Sequence, residues 1–132
     1  MKKRITNQLI DGFVGTLSAK DSFLVTTKIP HAIRQAIRIN LKTLAERLEI
    51  YNEGRRDLFS GYVTNGWATA DEEGNLKLAE EHIADVNKEL YELSQVDNEL
   101  EIATINKEVL ENYLERNELT LAEEDVLLFF EE

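Results

Sequence analysis

The stretch from Ile29 to Leu58, IPHAIRQAIRINLKTLAERLEIYNEGRRDL, decides how the chain reads. Apolar residues stand at Ile37, Leu41, Leu44, Leu48, Tyr51 and Leu58, and Arg55 occupies the one break in a 4-3-4-3 spacing. Steps of three and four place side chains on one face of an α-helix, so a stripe kept up for about six turns predicts a long amphipathic helix. Pro30 suits its first turn, where the missing N–H is not needed, and Ile29 before it is pushed out of the α region. Gly61 is a common kind of C-cap and predicts an end near Phe59–Gly61.

A helix apolar along one side must lie against something. Residues 79–96 offer the same spacing through Ala79, Ile83, Val86, Leu90 and Leu93, with charged residues opposite. Two matching seams joined by a short connection predict an antiparallel helical hairpin. The expected fold class is therefore all-α: an antiparallel long-helix hairpin, 29–58 against 79–96, with additional short helices, in a single helical domain over 1–132. Thr6 or Asn7 caps a first helix over 6–18, with Leu9, Ile10, Phe13 and Leu17 on one face. Further helices are expected over 106–116 and after Thr120, where Thr120-Leu121-Ala122-Glu123 fits a capping box. Leu100-Glu101-Ile102 reads either as extended or as continued helix.

Between the long helices lies the least helical segment. Tyr62-Val63-Thr64 and Trp67-Ala68-Thr69 flank Asn65-Gly66, a strong hairpin signal because both turn residues tolerate positive φ. A second turn follows at Asp71-Glu72-Glu73-Gly74-Asn75. A small β-hairpin-like flap over 62–78 is expected.

At 132 residues the chain can bury roughly two thirds of its unfolded surface in one domain. With 42% hydrophobic and 31% charged residues it is globular in composition, and it has no Cys, which fits an intracellular protein without disulfides. No apolar run approaches the length of a membrane span, and Met1-Lys2-Lys3-Arg4 is followed by polar Thr6-Asn7-Gln8 rather than a signal-peptide core. A cytoplasmic location follows. The net charge of −11 is unevenly spread. Residues 1–66 carry 11 Lys/Arg and 6 Asp/Glu, whereas 67–132 carry 4 and 20. Such polarity suits either two solvated faces of opposite sign or halves drawn together in the fold.

No residue constellation specifies a chemistry. His31 and His82 sit in no metal-ligand spacing, Gly12-x-x-Gly15 lacks the Lys-Ser/Thr of a phosphate loop, and Asp71–Asn75 lacks the ligand order of a calcium loop. Asp97, Glu99 and Glu101 pair no more tellingly than any carboxylates in so acidic a chain. Lys28, Arg34, Arg38, Lys42 and Arg47 follow the polar side of the long helix, but without interleaved aromatics and in an acidic protein they do not make a nucleic-acid site. Catalytic, cofactor and metal sites are therefore not assigned. A protein-contact surface has two candidates. Tyr62 and Trp67, with Phe59, concentrate aromatics at the flap, where they either plug the end of the hairpin or meet a partner. Val126, Leu127, Leu128, Phe129 and Phe130 are five adjacent apolar residues, and a helix cannot turn all five into one core.

Taken in order, Lys28-Ile29-Pro30 opening a long helix with Ile37, Leu41, Leu44 and Leu48, then Tyr51-Asn52-Glu53-Gly54-Arg55-Arg56, Asp71–Asn75, Glu89-Leu90-Tyr91-Glu92-Leu93 and Glu99-Leu100-Glu101-Ile102 form a pattern over roughly residues 5–130. It resembles the tape measure protein chaperones, small helical tail-assembly proteins of long-tailed phages of Gram-positive bacteria. That resemblance implies a non-enzymatic protein of the host cell cytoplasm, without cofactor. It would bind apolar helical segments of the tape measure protein, or another tail component, and keep them soluble before the tail tube assembles. Tyr62, Trp67, Leu127, Leu128, Phe129 and Phe130 are the expected contacts, a homo-oligomer is compatible, and neither nucleic acid nor membrane is an expected partner. The alternative is an acidic inhibitor that mimics nucleic acid in the basic groove of a host defence protein.

Overall fold

A computed structural model describes residues 1–132. The fold is mixed α/β, and the expected all-α long-helix hairpin is corrected by two small sheets and by the way the long helix packs. In chain order the elements are β1 (Lys2–Thr6), α1 (Asn7–Ser18), the single turn α2 (Phe23–Thr26), α3 (His31–Thr64), β2 (Ala68–Ala70), β3 (Leu76–Leu78), α4 (Ile83–Ser94), β4 (Asp97–Glu101), α5 (Lys107–Arg116) and α6 (Leu121–Phe129). A 3₁₀ turn, Glu80–His82, leads into α4.

The long helix is longer than its seam. It starts directly after Pro30 and runs through Gly61 to Thr64, about 50 Å at 1.5 Å per residue. Gly61 is an interior residue, and Asn65 with Gly66 ends the helix instead: the Asn65 N–H bonds the Gly61 carbonyl, and Gly66 takes φ +78. The Asn-Gly pair therefore serves as a helix stop, not as a hairpin turn. The hairpin forms one step later, where β2 and β3 pair antiparallel around Asp71–Asn75. Asp71 Oδ1 accepts from the Glu73 and Asn75 N–H groups, and Gly74 adopts φ +84.

The N-terminal half of α3 buries Ile33, Ala36, Ile37 and Leu44 in the main core, beside Ile10 and Leu17 of α1. Its broadest neighbour is α1, whereas α4 reaches only its C-terminal part. There Leu93 packs over Gly54, close enough that its methyl carbons would make ordinary contacts of 3.4 and 3.5 Å with an added Cβ. Residues 79–82 are not α-helical, and Ile83 is exposed, so the matching seam in α4 is shorter than its sequence spacing.

What closes the core is a sheet the hydrophobic pattern did not announce. β1 pairs antiparallel with β4 in the register Lys2–Glu101, Arg4–Glu99 and Thr6–Asp97 on one face, with Lys3–Leu100 and Ile5–Asn98 on the other. Opposite charges thus stand across the ladder on the solvent face, where such pairs add a few tenths of a kcal/mol to about 1 kcal/mol each. Ile5 and Leu100 enter the core. The uneven charge of the two halves is met here in part, because a basic strand from one half pairs with an acidic strand from the other.

Three polar side chains fix the connections. Asn40, fully buried in α3, donates to the Ala103 carbonyl at 2.8 Å and accepts from the Ala103 N–H at 2.7 Å. It thereby holds the chain after β4 as a neighbouring strand would. Asn7 donates to the Leu93 carbonyl and accepts from Asn98, tying the start of α1 to the α4–β4 turn. In α6 the capping box forms as expected, and Glu123 Oε2 also accepts the Phe23 N–H at 2.7 Å. Chain ends are joined too: Lys3 Nζ donates to the Phe129 and Glu131 carbonyls, and Ile105 bridges to Phe130 and Glu132.

Asn40→Ala is expected to lower the unfolding free energy by about 2–4 kcal/mol in urea titrations, since it strands both a buried donor and a buried acceptor of Ala103. Burial pushes the Glu123 carboxyl up, but hydrogen bonds from the Thr120 and Phe23 backbone and from the Thr120 side chain outweigh it and hold it below its ordinary value. Stability from this group is then present above the unfolded carboxylate pKa of about 4.3 and lost as pH falls through the lower folded value. Thermal melts over acid pH should show the gap between wild type and Glu123→Gln narrowing as pH falls.

Candidate partner-binding site

The flap aromatics fold inward. At the end of α3, Tyr62 stacks parallel to Trp67 with ring centroids 5.9 Å apart, and Trp67 stacks on His82 at 4.1 Å. Phe59 meets the Tyr62 ring edge-on. Tyr62 is only 4% exposed and joins Ala68 and Val86 in a small second core, with Trp67 packed half-buried against it. The Tyr62 hydroxyl donates to Glu89 Oε2 at 2.6 Å. Desolvation, that hydrogen bond and the Glu89 charge together push the phenol up to about 12. The stack arises because Gly66 turns the chain back, so the Trp67 N–H bonds the Tyr62 carbonyl and the Ala79 N–H bonds the Trp67 carbonyl. His82 lies 3.7 Å from Asp85 and 3.8 Å from Glu81, both beyond hydrogen-bond reach. A shallow depression of about 280 Å³ beside Trp67 is lined by Gly66, Ala68, Thr69, Lys77, Leu78 and Ala79, with no acid, base or nucleophile other than Lys77 and Thr69.

The C-terminal cluster divides. Val126, Leu127 and Phe130 are fully buried, whereas Leu128 is 48% exposed and Phe129 half-buried. Phe129 packs on Phe13 of α1 at 5.4 Å between centroids, with Lys3 Nζ 5.1 Å above its ring. One turn before Phe13 on the same side of α1, Leu9 is 51% exposed. Leu9, Phe13 and Phe129 therefore form an apolar strip across the α1–α6 junction, and Leu128, about 100° around α6 from Phe129, is a further exposed apolar residue. Of the expected face Leu9, Ile10, Phe13 and Leu17, the core takes Ile10 and Leu17, Phe13 packs partly buried against it as Val14 does, and Leu9 is left exposed. The signal for the strip was present: α1 carries two parallel apolar rows, and a helix at the edge of a core buries only one.

The remaining sequence candidates are scattered. His31 is exposed at the start of α3, and His82 is held in the aromatic stack. Asp97, Glu99 and Glu101 occupy the charged face of β4, where Glu101 accepts from the Met1 amino group at 2.9 Å. That hydrogen bond, with the amine's charge, holds the Glu101 carboxyl below its ordinary value. Glu99 and Glu101 face Arg4 and Lys2 across the ladder, and Asp97 faces Thr6. No helix is long and apolar enough to cross a membrane.

Comparison with protein-family models, curated sequences and solved structures finds no match. The arrangement therefore speaks through its own chemistry: two aromatic or aliphatic surfaces, one mostly internal and one open, and no reactive cluster.

Tyr62→Phe tests the stack. It should cost about 1–2 kcal/mol at neutral pH, because Glu89 loses a hydrogen bond to a charged acceptor. A phenol raised in the fold stabilises below its unfolded pKa of about 10, and that contribution is lost as pH rises toward the folded value. Wild type should accordingly lose its advantage over Tyr62→Phe between about pH 10 and 12 in denaturant melts.

Proposed function

We propose that this chain is a phage tail-assembly chaperone that holds apolar helical segments of the tape measure protein in solution. The observation that carries the reading is the open strip of Leu9, Phe13 and Phe129, with exposed Leu128 on the same helix, built on two helices that are braced from behind by Ile10, Leu127 and Phe130. An amphipathic helix can lay its apolar side along such a strip, with anchors three and four residues apart. Each large side chain it covers contributes on the order of 1.5–3 kcal/mol when fully buried. The acidic second half, 20 Asp/Glu against 4 Lys/Arg, keeps the loaded complex soluble by repulsion between copies. Of the expected contacts, Leu128 and Phe129 reach the partner directly. Tyr62, Leu127 and Phe130 act from within the two cores, and Trp67 presents one edge at the flap.

Co-expression with apolar tape measure fragments tests the reading. Wild type should raise the soluble fraction of a fragment and co-purify with it. Leu9→Asp/Leu128→Asp should abolish both while melting within a few degrees of wild type, since both positions are exposed. Fragment solubility that is the same with and without the wild-type chain would overturn the proposal.

A further inference from the structure

The outward face of α3 is exposed along most of the 34-residue helix, and its first half is basic. From Lys28 to Ala45 the sequence contains no Asp or Glu. Arg34, Arg38 and Lys42, one turn apart, are exposed on this face, and none of them forms an ion pair within the chain. Past Ala45 carboxylates join the face, with Arg47 and Arg56 exposed among them. Glu46, Glu53 and Asp57 occupy the outward side and are likewise unpaired, while Glu49 is engaged by Arg56 at 2.8 Å. Two large apolar residues stand on the same face, Ile39 at 47% and Ile50 at 58% exposure, one on each side of Ala45.

This order is self-complementary under a twofold axis. When two copies of α3 lie antiparallel with the axis near Ala45, Ile39 of each faces Ile50 of the other. The same register sets Lys42 against Glu46 and Arg38 against Glu53, while Arg34 meets Arg56, whose charge is already engaged by Glu49. The isoleucines lie about 16 Å apart along the helix at 1.5 Å per residue, so both reciprocal contacts form in one register. Helix axes 8–10 Å apart bring these side chains within reach of each other. A parallel arrangement in register would set like charges against like. A nucleic acid would be drawn to the basic half and repelled by the carboxylates that continue the same face, which leaves a second copy as the occupant that satisfies both halves.

We infer that α3 is a dimerisation helix: its outward face docks antiparallel on the same face of a second copy, isologous about Ala45. The contact is rich in exposed charge pairs, so it weakens as salt rises. It lies apart from the α1–α6 strip.

Sedimentation and light scattering of the full chain test this. In low salt, wild type should move from 15.2 kDa toward twice that mass as concentration rises, and 0.5 M salt should shift it back. Arg38→Glu/Lys42→Glu and Glu46→Lys/Glu53→Lys should each be monomeric and folded by circular dichroism, and an equimolar mixture of the two should restore the dimer. The chain lacks cysteine, so Ala45→Cys with a short bis-maleimide gives a readout that leaves the charges in place: it should cross-link to dimers in low salt and not in high salt. A wild type that stays monomeric up to about 1 mM with no Ala45→Cys cross-link would overturn the inference. So would double variants that remain dimeric.

Discussion

The pairing of β1 with β4 is the constraint on which the rest depends. It joins residues 2–6 to residues 97–101, so everything between them is one closed loop that must return to its start. Closing a loop of that length costs little more than closing a shorter one, because the entropy grows only logarithmically with length. A two-stranded ladder alone is marginal in water. Here it is backed by Ile5 and Leu100 in the main core, and it continues into the Asn7–Asn98 and Asn7–Leu93 hydrogen bonds. Released from β4, β1 would lose its only strand partner and α1 its tie to the α4–β4 turn.

The long helix then plays two different parts along its length. Its N-terminal half completes the main core with α1, and Asn40 serves as a polar rivet in an otherwise apolar seam. A fully buried amide is acceptable there because its donor and acceptor both find partners on one backbone unit. Its C-terminal half carries a smaller core of Tyr62, Ala68 and Val86, sealed by the Trp67–His82 stack. The two cores share one rigid rod, which leaves the opposite side of that rod uncovered. The open strip on α1 and α6 lies on helices of the main core, so binding there need not disturb the flap.

Much of this architecture was legible locally. The apolar stripe of 29–58, the Thr120–Glu123 capping box, the Thr6 cap and the Asp71–Asn75 turn all act within a few residues, and each appears in the fold. Asn65-Gly66 misled because one preference for positive φ serves both a hairpin turn and a helix stop; the helix reached it before the strand did. β1 was missed because Lys2-Lys3-Arg4-Ile5-Thr6 offers one core residue and a charged outer face. Such a strand is defined only by the acidic partner opposite it. The candidate surface was half legible. Five adjacent apolar residues required some exposure, but only α1 beside α6 decided that Leu128 and Phe129 are the ones left outside.

The sequence by itself determined the elements whose energies are local: helix periodicity, caps, turns, and the separation of a basic first half from an acidic second half. Tertiary structure decided which apolar row of α1 is core, which carboxylates answer the basic strand, and how α3 divides its length between two cores. Those outcomes depend on contacts between residues up to about a hundred positions apart, whose strength comes from burial and closure, and no local pattern encodes them. Ile29–Leu58 carries both lessons. Its spacing made it a helix, and only the fold showed that α1 covers its first half while its outer face is left open.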